Sequence, residues 1–353
     1  MKKLIIASGL ILNAWAGWSQ TDRNVDLKMY GHIQYNLDKF DQDKNSYFSL
    51  GEQDFFVTAR LTDRISFLGE TVVKYDAATA AKFAPSIERA QMKWDYFGNH
   101  SIIMGKIHTP VNTWNDEYHH GRLFFPTIDR PLFFSTMVPV HTSGISFRGQ
   151  YLGRLNFGYD LVVGNGISST DVYDVSTNKA LMMGMHIRPD EYTRIGASYY
   201  NDYMPTNKPG VHSGHSSYNS GYKGALNFEL YSLSIKRFTN QYEFMSETGY
   251  GVNTTDSLGV AENFSSFNYI GVKVKDVNTV YALADFMHVS DKDLHAAPGK
   301  QLKTAIGYKY EFSETCNVKF QVERTIAADD HLNHHGALHV ERYDFKFQLA
   351  YGF

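Results

Sequence analysis

The feature that most limits the fold of this chain is an alternation of apolar and polar side chains that recurs along almost its whole length. In the first such segment, Leu27 and Met29 alternate with Lys28 and Tyr30. A repeat of two residues is typical of a β-strand with one apolar face. We therefore predict an all-β fold with sixteen strands, at residues 25–36, 53–61, 65–75, 86–95, 101–107, 143–150, 154–163, 181–189, 192–201, 222–229, 232–249, 266–275, 278–289, 301–312, 316–327 and 342–353.

The connections between these segments alternate between long and short. Long ones at 37–52 and 76–85 are interleaved with tight ones at 62–64 and 96–100, and the pattern continues to the end of the chain. Outer-membrane β-barrels have this arrangement, with an even number of strands, short periplasmic turns and long external loops. The pattern predicts a transmembrane antiparallel barrel of about 16 strands whose two termini both lie in the periplasm.

Composition supports strands over helices and excludes other protein classes. Tyr and Phe number 24 each and Gly 28, and these residues favour strands and turns. Beyond the first residues, no uninterrupted apolar run approaches the roughly 20 residues of a spanning helix, so any membrane crossing must use strands. The lone Cys316 excludes an intramolecular disulfide, and the net charge of -3 gives no basic character that would suggest a nucleic-acid partner.

Residues 1–20 have the features of a cleaved secretory signal peptide. Lys2 and Lys3 precede a short apolar core, and small residues follow, with cleavage expected after Ala16 or Ser19. Residues 21–353 then form one barrel. Without the signal peptide, the chain has 32 basic and 37 acidic residues.

The last strand ends in Phe353, and its odd-numbered residues from Tyr343 onward are aromatic or Leu. This segment resembles the C-terminal signal by which outer-membrane barrels are delivered to the barrel-assembly machinery. Outer-membrane lipid and that machinery are therefore the expected partners.

The inner wall of a barrel this wide meets solute, so its charges determine which solutes are favoured. Placing the apolar row of each strand outward predicts fourteen bases on the inner wall: Lys28, Arg60, Lys74, Arg89, Lys93, Arg148, Arg154, Lys236, Lys273, Lys275, Lys303, Lys309, Lys319 and Lys346. The same rows hold eight acids: Asp26, Asp54, Glu70, Asp95, Asp160, Glu311, Glu323 and Asp344. An excess of about six positive charges would favour anions. The alternative is that these groups pair in a stabilising network.

The third external loop, at 108–142, is much longer than the other loops and is rich in aromatic residues and proline. Long connections without secondary structure are usually functional. We expect this loop to fold into the pore and narrow it, with Arg122 and Arg130 at the constriction and Asp116, Glu117 and Asp129 opposing them. The alternative is a lid packed on the rim of the barrel.

The segment Gly105-Lys106-Ile107-His108-Thr109-Pro110-Val111, following Arg89-Ala90-Gln91-Met92-Lys93-Trp94, resembles the end of the fifth strand in the phosphate-selective porin family. Tyr30 to Tyr35 and Ala59-Arg60-Leu61 with Glu70 resemble that family's first three strands. The resemblance covers about the first third of the mature chain. It implies a 16-stranded porin, usually a homotrimer, in which a ladder of basic residues guides anions. His108 departs from the lysine often found there, and the third loop mixes acids with its arginines.

Histidines suggest a second hypothesis, a metal-binding barrel. His119-His120, His212 with His215, and His331, His334, His335 and His339 have spacings that zinc or copper sites use. Scattered surface histidines are the simpler interpretation.

A third hypothesis is enzymatic. His141, Ser143 and Asn156 resemble the His, Ser and Asn of outer-membrane phospholipase A, in which Ser is the nucleophile. The predicted strand number and the inward orientation of Asn156 disagree with that enzyme.

The sequence as a whole predicts a passive, anion-favouring porin for small anionic or hydrophilic solutes, with neither enzyme activity nor cofactor. A plugged barrel acting as a receptor or adhesin is the principal alternative.

Overall fold

The computed structural model describes residues 25–38, 46–75, 82–119, 121–167, 174, 177–205, 224–328 and 339–353. Sixteen antiparallel strands close into one barrel, because the first strand pairs with both the second and the last. The strands are β1 Val25–Asp38, β2 Ser46–Arg60, β3 Ile65–Tyr75, β4 Phe83–Phe97, β5 His100–His108, β6 His141–Leu152, β7 Phe157–Gly164, β8 Ala180–Ile187, β9 Thr193–Met204, β10 Leu226–Phe238, β11 Tyr242–Thr255, β12 Gly259–Lys273, β13 Asn278–Val289, β14 Gly299–Ser313, β15 Cys316–Ala328 and β16 His339–Gly352. The predicted fold class and strand number are confirmed.

The outer face of the barrel carries exposed aliphatic and aromatic side chains. Leu27, Leu233 and Ile306 are 59%, 66% and 68% exposed, and each lies on the row that faces away from the lumen. A closed barrel satisfies its backbone hydrogen bonds internally, so an apolar outer band of this kind fits it to lipid. The chain is therefore a transmembrane barrel of the outer-membrane type. Among the described residues, none of the helices has the length and apolar character of a membrane span.

The bounds predicted for the tenth to twelfth strands are wrong. The chain turns at 239–241 and again at 256–258, whereas the break predicted at 230–231 lies within β10. The first turn is formed by Thr239, whose hydroxyl accepts from the backbone N–H groups of Gln241 and Tyr242, and it contains no Gly or Pro signal. The turn at 256–258 also breaks the alternation of long and short connections. The signal peptide and the C-terminal loop histidines His331, His334 and His335 lie outside the described residues, as do His120, His212 and His215.

The connection between β5 and β6 lies inside the barrel. This segment, residues 109–140, is called L3 below. It contains two short helices, α1 Thr113–Glu117 and α2 Leu132–Thr136, and a 3-10 turn at Arg122–Phe124. Its side chains at Trp114, Phe125 and Met137 are 0% exposed. The amide of Asn317, at the short-turn end of β15, donates to the carbonyl of Leu123, so L3 extends down the lumen and the lid alternative is wrong.

Candidate functional site

L3 is attached to the inner wall through its own backbone. The backbone N–H of Thr113 donates to Glu247 at 2.6 Å, and that of Leu132 donates to Asp285 at 2.7 Å. The N–H of Gly121 donates to Asp54 at 3.1 Å. Buried backbone donors need partners, and here carboxylates on three separated strands supply them. The wall and the loop therefore form one hydrogen-bonded unit across the lumen.

Apolar contacts reinforce this attachment. The indole of Trp114 packs edge-on against Phe125 of L3 at 5.1 Å and against Phe267 of β12 at 5.7 Å between ring centroids. Phe133 lies over Gly249 of β11, where an added Cβ would stand 2.5 Å from the ring. A barrel normally fills its interior with side chains or water. Part of this lumen is instead filled by two hydrophobic clusters shared between L3 and the wall.

The acids at the C-terminal end of α1 pair with bases of the wall. Glu117 accepts from Arg188 at 3.2 Å and from Lys236, and its carboxylate forms an ion pair with Arg194 at 3.2 Å. Asp116 accepts from Arg194 at 2.6 Å. Three wall cations thus converge on one loop carboxylate, which fixes α1 close to β8, β9 and β10.

Asp129 makes the equivalent contact on the other side of the lumen. Its carboxylate accepts from Lys346 of β16 at 2.6 Å and lies 4.0 Å from Lys303 of β14. Burial alone would raise the pKa of Asp129, but these two ammonium groups hold it well below its usual range. The Asp129 side chain is therefore ionised at neutral pH.

The two L3 arginines do not oppose the loop's own acids, so that part of the constriction prediction is wrong. Arg130 donates to both carboxylate oxygens of Glu52 in β2, at 3.2 and 3.0 Å, and Arg122 lies 3.6 Å from the same carboxylate. Both guanidinium groups also pack on the ring of Phe125. Burial lowers the pKa of Arg122 to about 10, which leaves it charged at neutral pH. The prediction failed because L3 crosses the lumen, so each charged side chain of the loop pairs with the part of the wall nearest to it.

The registers place most of the predicted wall bases on rows that face the lumen. Arg154 and Lys275 are exceptions, because both lie in short turns, between β6 and β7 and between β12 and β13. Arg194 and Arg342 also lie on lumen-facing rows, although they were not among the predicted bases. The lumen-facing bases of the described strands are Lys28, Arg60, Lys74, Arg89, Lys93, Arg148, Arg194, Lys236, Lys273, Lys303, Lys309, Lys319, Arg342 and Lys346.

The predicted excess of positive charge on the wall is wrong. The same described rows carry as many acids as bases: Asp26, Glu52, Asp54, Glu70, Glu88, Asp95, Asp160, Asp202, Glu243, Glu247, Asp285, Glu311, Glu323 and Asp344. The prediction assumed that every apolar row faces lipid. Where L3 packs on the wall, apolar residues such as Tyr281 and Leu283 face inward instead. Asp285 lies on the same row of β13, so it faces inward too.

Acids and bases nevertheless differ in how much solvent they meet. Ten of the fourteen acids are buried, against three of the fourteen bases, Arg194, Lys309 and Lys319. Apart from Asp202, which accepts from the backbone N–H of Ile167, the buried acids hold L3 or pair with neighbouring bases, as Asp160 does with Arg148 at 2.7 Å and Glu70 does with Arg89. The bases of the wall are therefore more exposed on the whole than its acids, although the charges balance in number.

A cavity of about 540 Å³ opens at the short-turn end of β1 to β4. Arg60, Arg64 and Lys93 line it together with Asp26, Asp63 and Asp95. By the general orientation of outer-membrane barrels, this short-turn end is the periplasmic one. A second gap, of only about 20 Å³, lies between α1 and the wall at β8 to β10.

The three residues of the phospholipase-like hypothesis do not come together. His141 begins β6, whereas Asn156 lies in the turn after its far end, roughly 35 Å along the strand. The amide of Asn156 donates to the carbonyl of Arg188. His141 instead lies 3.0 Å from Glu88 and against the rings of two other histidines.

Comparison with known proteins gives the fold. No protein-family model and no curated protein matches the chain. Among solved structures, an anion-selective porin from Comamonas acidovorans superposes with a TM-score of 0.66 at 11% identity, over 94% of this chain and 100% of that one. The outer-membrane channel DcaP of Acinetobacter baumannii gives a TM-score of 0.65 at 11% identity, over 95% and 99%. The trimer form of OmpT of Vibrio cholerae gives 0.63 at 10% identity, over 94% and 100%. The chain has the architecture of 16-stranded porin-like barrels.

Proposed function

We propose that this protein is a narrow outer-membrane channel for small hydrophilic solutes, with a preference for anions. The observation that carries the proposal is a charged lumen whose lining side chains meet solvent at the short-turn end of the barrel. The side chains of Arg148 and Arg188, near the ion pairs that hold α1, are 34% and 35% exposed, and those of Arg60 and Lys93 are 61% and 41% exposed.

The anion preference rests on exposure and not on the count of charges. Buried acids are compensated by the bases and backbone donors that they contact, so their field in the water-filled part is reduced. Exposed bases remain available to attract a hydrated anion. Because many of them still have a carboxylate close by, the expected selectivity is modest, and phosphate is a candidate solute to be compared with chloride.

L3 is proposed to set the size limit. It crosses the lumen and is held by hydrogen bonds, ion pairs and aromatic packing on opposite walls, so the remaining path must pass beside it. Such a path admits small solutes and rejects larger ones. A trimer is the assembly that we propose, by analogy with the trimer form described for OmpT.

Liposome swelling tests the channel directly. Vesicles containing the purified, folded protein should swell in isotonic arabinose and more slowly in larger sugars, because L3 limits the width. Empty vesicles and vesicles with heat-unfolded protein serve as controls. Equal impermeability to all sugars, with insertion verified, would contradict the proposal and support a plugged receptor.

A further inference from the structure

We infer that His108, His119 and His141 form a binding site for a divalent transition-metal ion of the zinc class inside the barrel. One nitrogen from each of the three residues lies within 4.8 Å of the other two. A tetrahedral zinc ion with ligand bonds of about 2.0–2.1 Å needs ligand nitrogens about 3.4 Å apart. The three side chains therefore need only small rotations to coordinate one ion. This inference does not depend on the proposed channel function.

The histidines are brought together by different parts of the fold. His108 ends β5 and His141 begins β6, and the two are direct partners in the register of this strand pair. His119 comes from L3, and its ring centroid lies 3.8 Å from that of His108 and 4.6 Å from that of His141. The three histidines are far apart in the sequence, so motifs that require closely spaced ligands do not detect this site.

The surroundings select the tautomer of His119. The Asn115 amide nitrogen donates to the carbonyl oxygens of Thr109 and Val140, which makes its Oδ1 the acceptor for His119 Nδ1 at 2.7 Å. With its proton on Nδ1, the ring offers Nε2 to a metal. A fixed partner on the second ring nitrogen is typical of metal-ligating histidines.

Negative charge lies beside the three rings. The Glu88 carboxylate is 3.0 Å from His141 and that of Glu70 is 3.9 Å from His108, and both side chains are at most 10% exposed. A dication is favoured there, and Glu88 can serve as a fourth ligand. Three imidazoles with a carboxylate are a donor set suited to Zn²⁺. An ion bound here would connect the two strand ends that flank L3, at His108 and His141, to His119 within the loop.

Zinc titration of the full mature protein, folded in detergent and free of a histidine tag, tests this site. Against a competing fluorescent chelator, the wild type should bind one ion tightly, and His119→Ala should bind at least 100-fold more weakly. His186→Ala, which removes a buried histidine elsewhere in the lumen, should bind as the wild type does. A variant with His331, His334 and His335 changed to Ala should do the same. Loss of binding only in the last variant would overturn the inference.

Cobalt substitution tests the three-histidine site without any mutation. Co²⁺ in the wild-type protein should show the intense visible absorption of a four-coordinate ion, and X-ray absorption should show imidazole ligands. A weak, six-coordinate spectrum, or no bound Co²⁺, would refute the site. Heat-dependent migration of the folded barrel on gels verifies that each variant has folded.

Discussion

Individual ionic residues in this lumen act mainly through the partner on the facing surface. Glu117 is the clearest example, since its carboxylate meets Arg194 of β9, Lys236 of β10 and Arg188, which follows β8. The sequence placed Glu117 in the constriction loop, but it did not identify these partners. Two of them, Arg188 and Arg194, were absent from the predicted wall. A pairing across the lumen depends on how the loop crosses it, which alternation along the strands cannot reveal.

Replacing Glu117 with Gln should loosen α1 from the wall. The variant keeps the side-chain volume but leaves three cations without their shared counter-charge. We expect a loss of stability on the order of 2 kcal/mol, reduced from the value of a fully buried pair by partial exposure, together with a larger single-channel conductance. Urea unfolding and planar-bilayer recordings measure the two effects.

Glu341→Gln is the matched control, because Glu341 pairs with Arg324 where both side chains are nearly half exposed. It should change neither property. A wild-type conductance in Glu117→Gln would mean that this carboxylate does not hold the loop.

At the level of elements, the wall strands and L3 were predictable to different degrees. Alternation predicted sixteen strands and a barrel, since each strand needs an apolar outer row in lipid. It misplaced β10 to β12, where Thr239 turns the chain without glycine or proline. The length and aromatic content of L3 predicted an inward loop. Its helices and contacts follow from tertiary packing, so they could not be read from local sequence.

Gly249 provides a test of the fit between L3 and the wall. Its row faces inward, and the ring of Phe133 occupies the space that a side chain would take. Gly249→Val should therefore displace Phe133 and α2 while the barrel still closes. The expected result is faster liposome swelling with large sugars.

Gly251→Ala is the graded comparison, because its added Cβ would meet Leu230 and Met137 at 3.1 and 3.3 Å, where flexible side chains can yield. It should have a smaller effect. If both variants kept the sugar cut-off of the wild type, α2 would not limit the path.

For the molecule as a whole, the balance of charge differs from the one that the sequence suggested. Counting apolar rows as outward overlooked six acids on the wall, and five of them, Glu88, Asp202, Glu243, Glu247 and Asp285, are buried. Selectivity then depends on which charges meet water. In this account the buried acids hold the structure together, whereas the exposed bases attract solute.

A pair of charge-reversal variants separates local from global charge. Arg60→Glu with Lys93→Glu changes exposed groups that line the periplasmic cavity, so it should shift the reversal potential toward cations. Arg154→Glu with Lys275→Glu makes the same change of total charge in turns. That second double variant should leave the reversal potential close to the wild-type value. Equal shifts in both would mean that total charge, and not the lumen, sets selectivity.

The proposed channel requires that L3 leaves an open path and that the exposed bases outweigh the exposed acids along it. The reversal potential of the wild-type protein in a planar bilayer, under a KCl gradient, tests it most directly. We predict discrete small-conductance channels whose reversal potential has the sign of chloride preference. A reversal potential with the sign of potassium preference, or no conductance from protein shown to be inserted, would contradict the account.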